Sequence, residues 1–415
     1  LLHDLTGYRP ANAFVLNSIL YAVALGLMFG VGRSLGGWRG GILATLLAGS
    51  LPLLGQNATG SGMELLNVVM ILSTLWLGAR YLAEPDEANL GALVLSAVLL
   101  AQSRYESALY VVAVAAVGVL GWRSARRVLL PASVMVAPLL LLPVALQHRV
   151  VANSPLLWEL DAARSERFSW SYVPANLRGA WAFLFNGDAE RANSLLLSAA
   201  GLVAASGLLL LAGRRWRSWA QRSPMESALA CFAVVVFANT ALVMCYYWAS
   251  FDDPMASRFS LPWLLLTVFA VVAFARWLDR RLPATGVLLV LAGGWALPQA
   301  AAKYGHHYYS HLGNDEIAWH HRFMASRPPA RRLVISNRTS LSWLLAETPA
   351  ILLDRARLVA DRLQYQLTQP LFDEILVVQA LRPTSAEGDF QLPQEEALPD
   401  YFRTELLAEK RFGTR

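Results

Sequence analysis

Arginines and carboxylates gather at a few points of this 415-residue sequence, and their company narrows what they can do. One group is Arg104-Tyr105-Glu106. Another is Asp252-Asp253-Pro254-Met255-Ala256-Ser257-Arg258. Near other ends of the apolar stretches stand His3, Asp4 and Arg9, then Gln56 and Asn57, Glu64, and Gln102. A guanidinium is a planar fork that grips phosphate oxygens two at a time. A carboxylate takes the proton from a hydroxyl as a general base. An arginine facing a developing phosphate charge stabilises the transition state. Together these residues suit sugar transfer from a lipid phosphate. A plainer alternative stands beside that one: each arginine pairs with a neighbouring carboxylate or anchors to lipid headgroups.

These residues stand out because the rest of the chain is poor in charge. Hydrophobic residues make up 56% and charged residues 15%, against about 25% charged in a soluble domain. The apolar excess falls in blocks of membrane-crossing length, not in one large core. Spans are expected at Ala13–Val31, Gly40–Leu54, Met63–Ala79, Leu90–Ala101, Ser107–Trp122, Val128–Leu146, Leu195–Ala212, Ser227–Trp248, Leu261–Ala275 and Leu282–Ala302. The pair Leu90–Ala101 and Ser107–Trp122 reads as two spans or as a re-entrant hairpin. The expected fold class is an all-α polytopic membrane bundle of about ten transmembrane helices, with a small α/β extracytoplasmic domain at the C-terminus. The bundle takes residues 1–303 and the domain residues 304–415.

Arginine sets the expected topology, since only Lys303 and Lys410 are lysines. Alternate loops carry Arg33 and Arg39; Arg80; Arg123, Arg126 and Arg127; Arg214, Arg215, Arg217 and Arg222; and Arg276, Arg280 and Arg281. The intervening short loops hold Arg104 alone, Arg258 alone, or none. The positive-inside rule makes the first set cytoplasmic. The candidate residues then share the outer face with the long loop from Gln147 to Asn193 and with the C-terminal domain. That loop carries Trp158, Phe168, Trp170, Tyr172, Trp181 and Phe185, which suits a segment at the membrane surface.

Several function classes fit poorly. The spans hold almost no ionisable groups, which argues against an ion or proton pathway. The net charge of +6 comes from topology-setting loops and not from a basic stripe with interleaved aromatics, so no nucleic-acid partner is expected. Cys231 and Cys245 lie fourteen apart in one apolar span, too far to bridge each other. Five histidines, His306, His307, His311, His320 and His321, crowd one stretch with Tyr304, Tyr308, Tyr309 and Trp319. His307 and His311 have a zinc-like i, i+4 spacing, but the aromatics suit an interfacial belt. No metal and no cofactor are expected. In the C-terminal domain, helices are expected at Glu316–Met324, Ser340–Glu347 and Arg357–Leu367. Strands are expected at Arg332–Ser336, Ile351–Leu353 and Glu374–Leu381.

The membrane part resembles the GT-C class of membrane glycosyltransferases, in the style of the protein mannosyltransferases and aminoarabinose transferases. Leu5-Thr6-Gly7-Tyr8-Arg9 looks like the family's approach to its second helix. Glu64, heading the third span, is similar to a common acidic position. Arg104 ends an external helix where the family often has a basic residue. Ser257-Arg258-Phe259-Ser260-Leu261-Pro262 resembles its arginine-then-proline start of a late helix. The resemblance implies inverting transfer of a sugar from a polyprenyl-phosphate donor to an extracytoplasmic acceptor, in the inner membrane of a bacterium. Arg104 and Arg258 would then hold the donor phosphate, and the gathering of polar residues at the external helix ends puts Glu64, Glu106, Asp252, Asp253, Gln56 and Asn57 around the substrate. The resemblance also implies contact with membrane lipids.

One departure bears on the chemistry. The family's catalytic aspartate lies in the first external loop, after a first helix. This sequence begins late in that loop, so a longer parent chain is expected. Asp4 is the carboxylate left there and the candidate catalytic base. The rival reading is a non-catalytic membrane scaffold or sensor whose C-terminal domain binds a partner; a transporter comes third. The topology is open to direct test. Reporter fusions at Gln221 and Gly388 are expected to report opposite compartments, the first cytoplasmic and the second external. One shared compartment would refute the arginine alternation.

Overall fold

The structure is a computed structural model that describes residues 2–7, 11–60, 62–152, 166–188, 191–215, 222–253, 255–304, 312–337, 343, 347–368, 371–383, 390–391 and 403–412. It divides into two compact units, Leu1–His307 and Tyr308–Arg415.

In the first unit the helices are α1 (Leu2–Thr6), α2 (Ala11–Gly49), α3 (Pro52–Ala58), α4 (Glu64–Ala83), α5 (Glu87–Ser103), α6 (Tyr110–Ala125) and α7 (Ala132–Ala152). After the long loop come α8 (Val173–Leu184), α9 (Leu195–Arg215), α10 (Pro224–Met244), α11 (Leu261–Leu278), α12 (Ala284–Leu291) and α13 (Leu297–Tyr304). Every apolar stretch picked out from the sequence is helical over most of its length. Among the described residues six helices are long and apolar enough to cross a membrane, and Glu87–Ser103, Ala132–Gln147 and Leu195–Leu211 are further apolar stretches just under that length. α2 contains two of the expected spans in one run.

Gly37 explains α2. Its φ of 68° and ψ of −165° lie in a region open to glycine and strained for residues with a Cβ. The chain doubles back there. A Cβ on Gly32 would meet the Ala44 Cβ at 2.6 Å and the Gly40 carbonyl oxygen at 2.7 Å. In one straight helix, residues 32 and 44 would be roughly 18 Å apart. So α2 is a hairpin of two antiparallel arms, and small residues let their backbones touch. α4 lies at the centre of this unit, packed on α2, α5, α6 and α10. Its Thr74 Oγ1 stands 2.6 Å from Ser96 Oγ of α5, a polar tie between otherwise apolar surfaces.

Contacts sort the helix ends into two groups. Arg276, at the end of α11, donates to the Leu35 carbonyl beside the Gly37 turn. At the other end Asn17 donates to the carbonyls of Gly60 and Gly62 at 2.7 and 3.0 Å. There the Leu53 amide reaches the Ala192 carbonyl at 3.0 Å, and Asn176 donates to the carbonyls of Met244 and Tyr246, both at 2.9 Å. Lys303 Nζ donates to Asn193 Oδ1 at 2.6 Å. Ends that the arginine alternation assigns to one side are the ends that touch. The late part of the long loop docks here through a bridge from Phe168 to Tyr246. Its Trp170 and Trp181 remain 82% and 61% exposed. Trp158 lies outside the described residues.

The second unit is α/β. Its helices are α14 (Leu312–Ala325), α15 (Leu353–Leu358) and α16 (Ala360–Thr368). Strands β1 (Arg332–Ser336), β2 (Ala350–Leu352) and β3 (Glu374–Val378) form a parallel sheet in the order β2-β1-β3. β1 is buried along its whole length, as a central strand covered on both faces must be. One face packs Leu333 and Ile335 with Leu353, Ala356 and Leu363; the other packs Val334 with Trp343 and Leu376. The expected helix at Ser340–Glu347 falls mostly outside the described residues. The expected helix at Arg357–Leu367 is two helices, divided at Val359. A short antiparallel ribbon, β4 (Arg382–Pro383) with β5 (Phe390–Gln391), was not expected. At the sheet edge, hydrogen bonds from Arg331 hold the Asp373 carboxyl below the usual carboxylate range.

The α2 hairpin gives a packing test. Gly32→Leu is expected to destabilise the protein by at least about 1–3 kcal/mol, the range for overpacking, because the obstructing atoms are backbone and a Cβ. Gly26→Leu is the control, since a Cβ there meets nothing within 4 Å. Thermal midpoints in detergent read both. Equal midpoints for the two variants would mean that the arms are not in contact.

Candidate functional site

The site is built around Glu64, the first residue of α4. A carboxylate in the first turn suits the positive end of the helix dipole. The side chain is nevertheless only 6% exposed, so its charge needs partners. It has two. Arg104 Nη1 and Arg258 Nη1 both approach Glu64 Oε1, at 2.9 and 3.1 Å.

Breaks in the helices place those arginines. Arg104 has extended φ and ψ of −154° and 156°, between the end of α5 and a 3₁₀ turn over Tyr105–Leu109. Its Nε also binds Glu106 Oε1 at 2.6 Å. Arg258 stands in a second 3₁₀ turn, Ser257–Ser260, which runs into α11 with Pro262 in its first turn. Asp253 shapes the approach: its Oδ1 accepts from the amides of Met255 and Ala256 at 2.7 and 3.0 Å. Both guanidiniums lie over Phe259, with Cζ atoms 5.3 and 5.6 Å from the ring centroid, within cation–π range.

Glu64, Arg104, Glu106, Arg258 and Phe259 line one small pocket with Asn67, Val68, Asn239 and Val243. Asn67 follows Glu64 by three residues and so shares its helix face. Its Oδ1 accepts from Ser103 Oγ at 2.9 Å and Ser107 Oγ at 2.6 Å. Beside the pocket, the Tyr246 ring stands 6.4 Å from that of Phe259. Two carboxylates balance two guanidiniums, yet Arg258 Nε is sealed from solvent with no hydrogen-bond partner among the described residues. The arrangement can bind an anion beside a neutralised ion cluster.

The structure thus brings together Glu64, Arg104, Glu106 and Arg258. Asp252, expected in the same cavity, does not line it. Its Oδ2 pairs instead with Arg191 Nη2 at 3.2 Å, and its carbonyl accepts from Arg191 Nη1 at 2.5 Å, because Arg191 of the long loop folds onto the same end. Asp253 caps a turn. Gln56 and Asn57 are half-buried on α3 outside the pocket, and Asn57 Nδ2 donates to the Leu53 carbonyl at 2.7 Å. Asp4 is exposed on α1 and does not line the pocket either. His306, His307 and His311 lie outside the described residues, and among those described no cluster fit for a metal exists. Sequence reasoning missed Asn67 and Asn239. The first carries a signal in its i, i+3 spacing from Glu64; the second is a lone carboxamide inside an apolar span.

No protein-family model and no curated protein matches this chain. The fold is similar to that of two crystal structures of ArnT from Cupriavidus metallidurans. One is in the apo state, with a TM-score of 0.43 and 16% identity over 84% of this chain and 73% of that one. The other is bound to undecaprenyl phosphate, with a TM-score of 0.43 and 15% identity over 90% and 77%. ArnT is an aminoarabinose transferase of the GT-C class. At these identities and scores the likeness assigns no residue of this chain a role.

Removing the shared carboxylate tests the cluster. Glu64→Gln leaves Arg258 without its charged partner. It is expected to cost about 3 kcal/mol, the low end for breaking a buried pair, because Arg258 is 33% exposed. Adding Arg258→Met is expected to recover much of the loss, since no uncompensated charge remains. A thermal midpoint unchanged by Glu64→Gln would refute the clasp.

Proposed function

We propose that this protein is a glycosyltransferase of the bacterial inner membrane that moves a sugar from a polyprenyl-phosphate donor to an extracytoplasmic acceptor. The observation that carries the reading is the convergence of Arg104 and Arg258 on one pocket at the ends of apolar helices. A lipid-borne phosphate arrives at that depth. The arginine alternation supports placing this end outward, and the sequence resemblance supplies the reaction type.

In inverting transfer, the acceptor hydroxyl oxygen bonds to the anomeric carbon opposite the phosphate, and a carboxylate takes its proton. The bond from that carbon to the phosphate oxygen breaks, and the phosphate leaves with the electron pair. Charge therefore grows on the phosphate, where preorganised arginines stabilise it. The Nε–H of Arg258 gives the growing charge a donor that no group among the described residues uses. Glu64 and Glu106 are both engaged by guanidiniums, so the pocket supports the phosphate-binding role and not the base. Asp4 remains the sequence's candidate for that role. A second reading, a scaffold or sensor whose C-terminal unit binds a partner, is favoured by the mutual pairing of the four charges.

Sugar transfer by the complete protein in membranes separates the two. Arg258→Ala is expected to lower kcat by roughly 10²–10³, the loss for one preorganised donor to a developing anion. Arg104→Ala is expected to match it or be milder. Arg258→Lys is expected to recover only part, because lysine keeps the charge and loses the fork. Full activity in Arg258→Ala would overturn the assignment in favour of the scaffold.

A further inference from the structure

One buried amide in the same pocket has no structural explanation. Asn239 lies inside α10, a helix otherwise rich in alanine, valine and phenylalanine. It is 3% exposed, and its Oδ1 is sealed from solvent without a hydrogen-bond partner among the described residues. Other buried carboxamides of this unit are satisfied. Asn17 holds Gly60 and Gly62, Asn67 is held by Ser103 and Ser107, and Asn176 holds Met244 and Tyr246. An orphaned polar group in such surroundings is costly, and an apolar side chain would be cheaper. A residue that breaks this rule in a pocket points to a ligand.

The second orphan in the pocket is Arg258 Nε, a donor. An unused acceptor and an unused donor together select a ligand that carries both kinds of group. A phosphodiester alone offers only acceptors. A phosphate joined to a sugar offers acceptors on the phosphate and hydroxyl donors beside it. We infer that Asn239 accepts a hydrogen bond from a hydroxyl of the transferred sugar while Arg258 holds the adjoining phosphate, so that this pair reads the sugar–phosphate junction. The inference rests on the glycosyl-transfer reading and adds a specificity residue to it. Asn239 touches the sugar and takes no part in bond breaking.

The test compares two probes on the full chain in lipid nanodiscs: a polyprenyl phosphate and its β-glucosyl ester. Asn239→Leu is expected to raise the thermal midpoint of the ligand-free protein. It is expected to leave affinity for the bare polyprenyl phosphate within about twofold and to weaken the glucosyl ester about tenfold. Asn239→Ala is expected to show the same ligand pattern without the gain in midpoint. Arg258→Ala is expected to weaken both probes. A lower midpoint in Asn239→Leu would make the amide structural. Equal loss for both probes, or loss for neither, with Arg258→Ala still weakening both, would overturn the inference and leave the glycosyl-transfer reading standing. Binding of neither probe by the unaltered protein would overturn the two together.

Discussion

Everything at the polar end of the membrane unit turns on a carboxylate that its surroundings would otherwise reject. Glu64 is buried at the head of α4, the helix that packs against most of its neighbours. An isolated charge in such a place would be neutralised or expelled. Two guanidiniums prevent that, one from the break after α5 and one from the turn before α11. A single oxygen atom therefore ties three separate parts of the chain together. Both guanidiniums that reach it also lie over the Phe259 ring.

The same clasp explains why an anion site can exist in a chain so short of charge. A pair of arginines with no counter-charge would repel each other. A pair matched by carboxylates has no net charge to attract an anion, so its remaining pull comes from directed N–H groups. Here Glu64 and Glu106 remove the repulsion, while the fork geometry leaves N–H groups over. Arg258 keeps its Nε–H free of acceptors among the described residues. Local neutrality and directed donors are compatible because a guanidinium has five N–H groups to place.

Much of this was legible in the sequence, for physical reasons that differ by residue. Glu64, Arg104 and Arg258 stood out because charge beside apolar helices is expensive and must be explained. The α/β character of the C-terminal unit was legible because short β-branched runs alternate there with helical segments. Asp252 misled: its neighbour Arg258 is close in sequence, but the decisive partner, Arg191, comes from a long loop whose path no local pattern encodes. Asn239 was passed over because one amide in an apolar run gives no periodic signal. Hydropathy placed the apolar helices, but it measures composition alone, and among the described residues six of them meet both length and composition for a crossing. The doubling of α2 was expected as two spans, but hydropathy does not register that the small residues Gly32, Gly40 and Ala44 bring its arms into contact beside the turn at Gly37.

That contact has a consequence for traffic in the membrane. The two arms of α2 touch from Gly32, Gly40 and Ala44 back to Gly49, whose Cβ would lie 3.9 Å from Tyr21 Oη. No gap the width of an acyl chain remains along this seam. The hairpin is a fence on one flank of the protein. On the proposed reading, a long-tailed lipid bound for the pocket would have to slide in past some other pair of helices, and its tail would keep that doorway occupied for as long as its headgroup stayed bound.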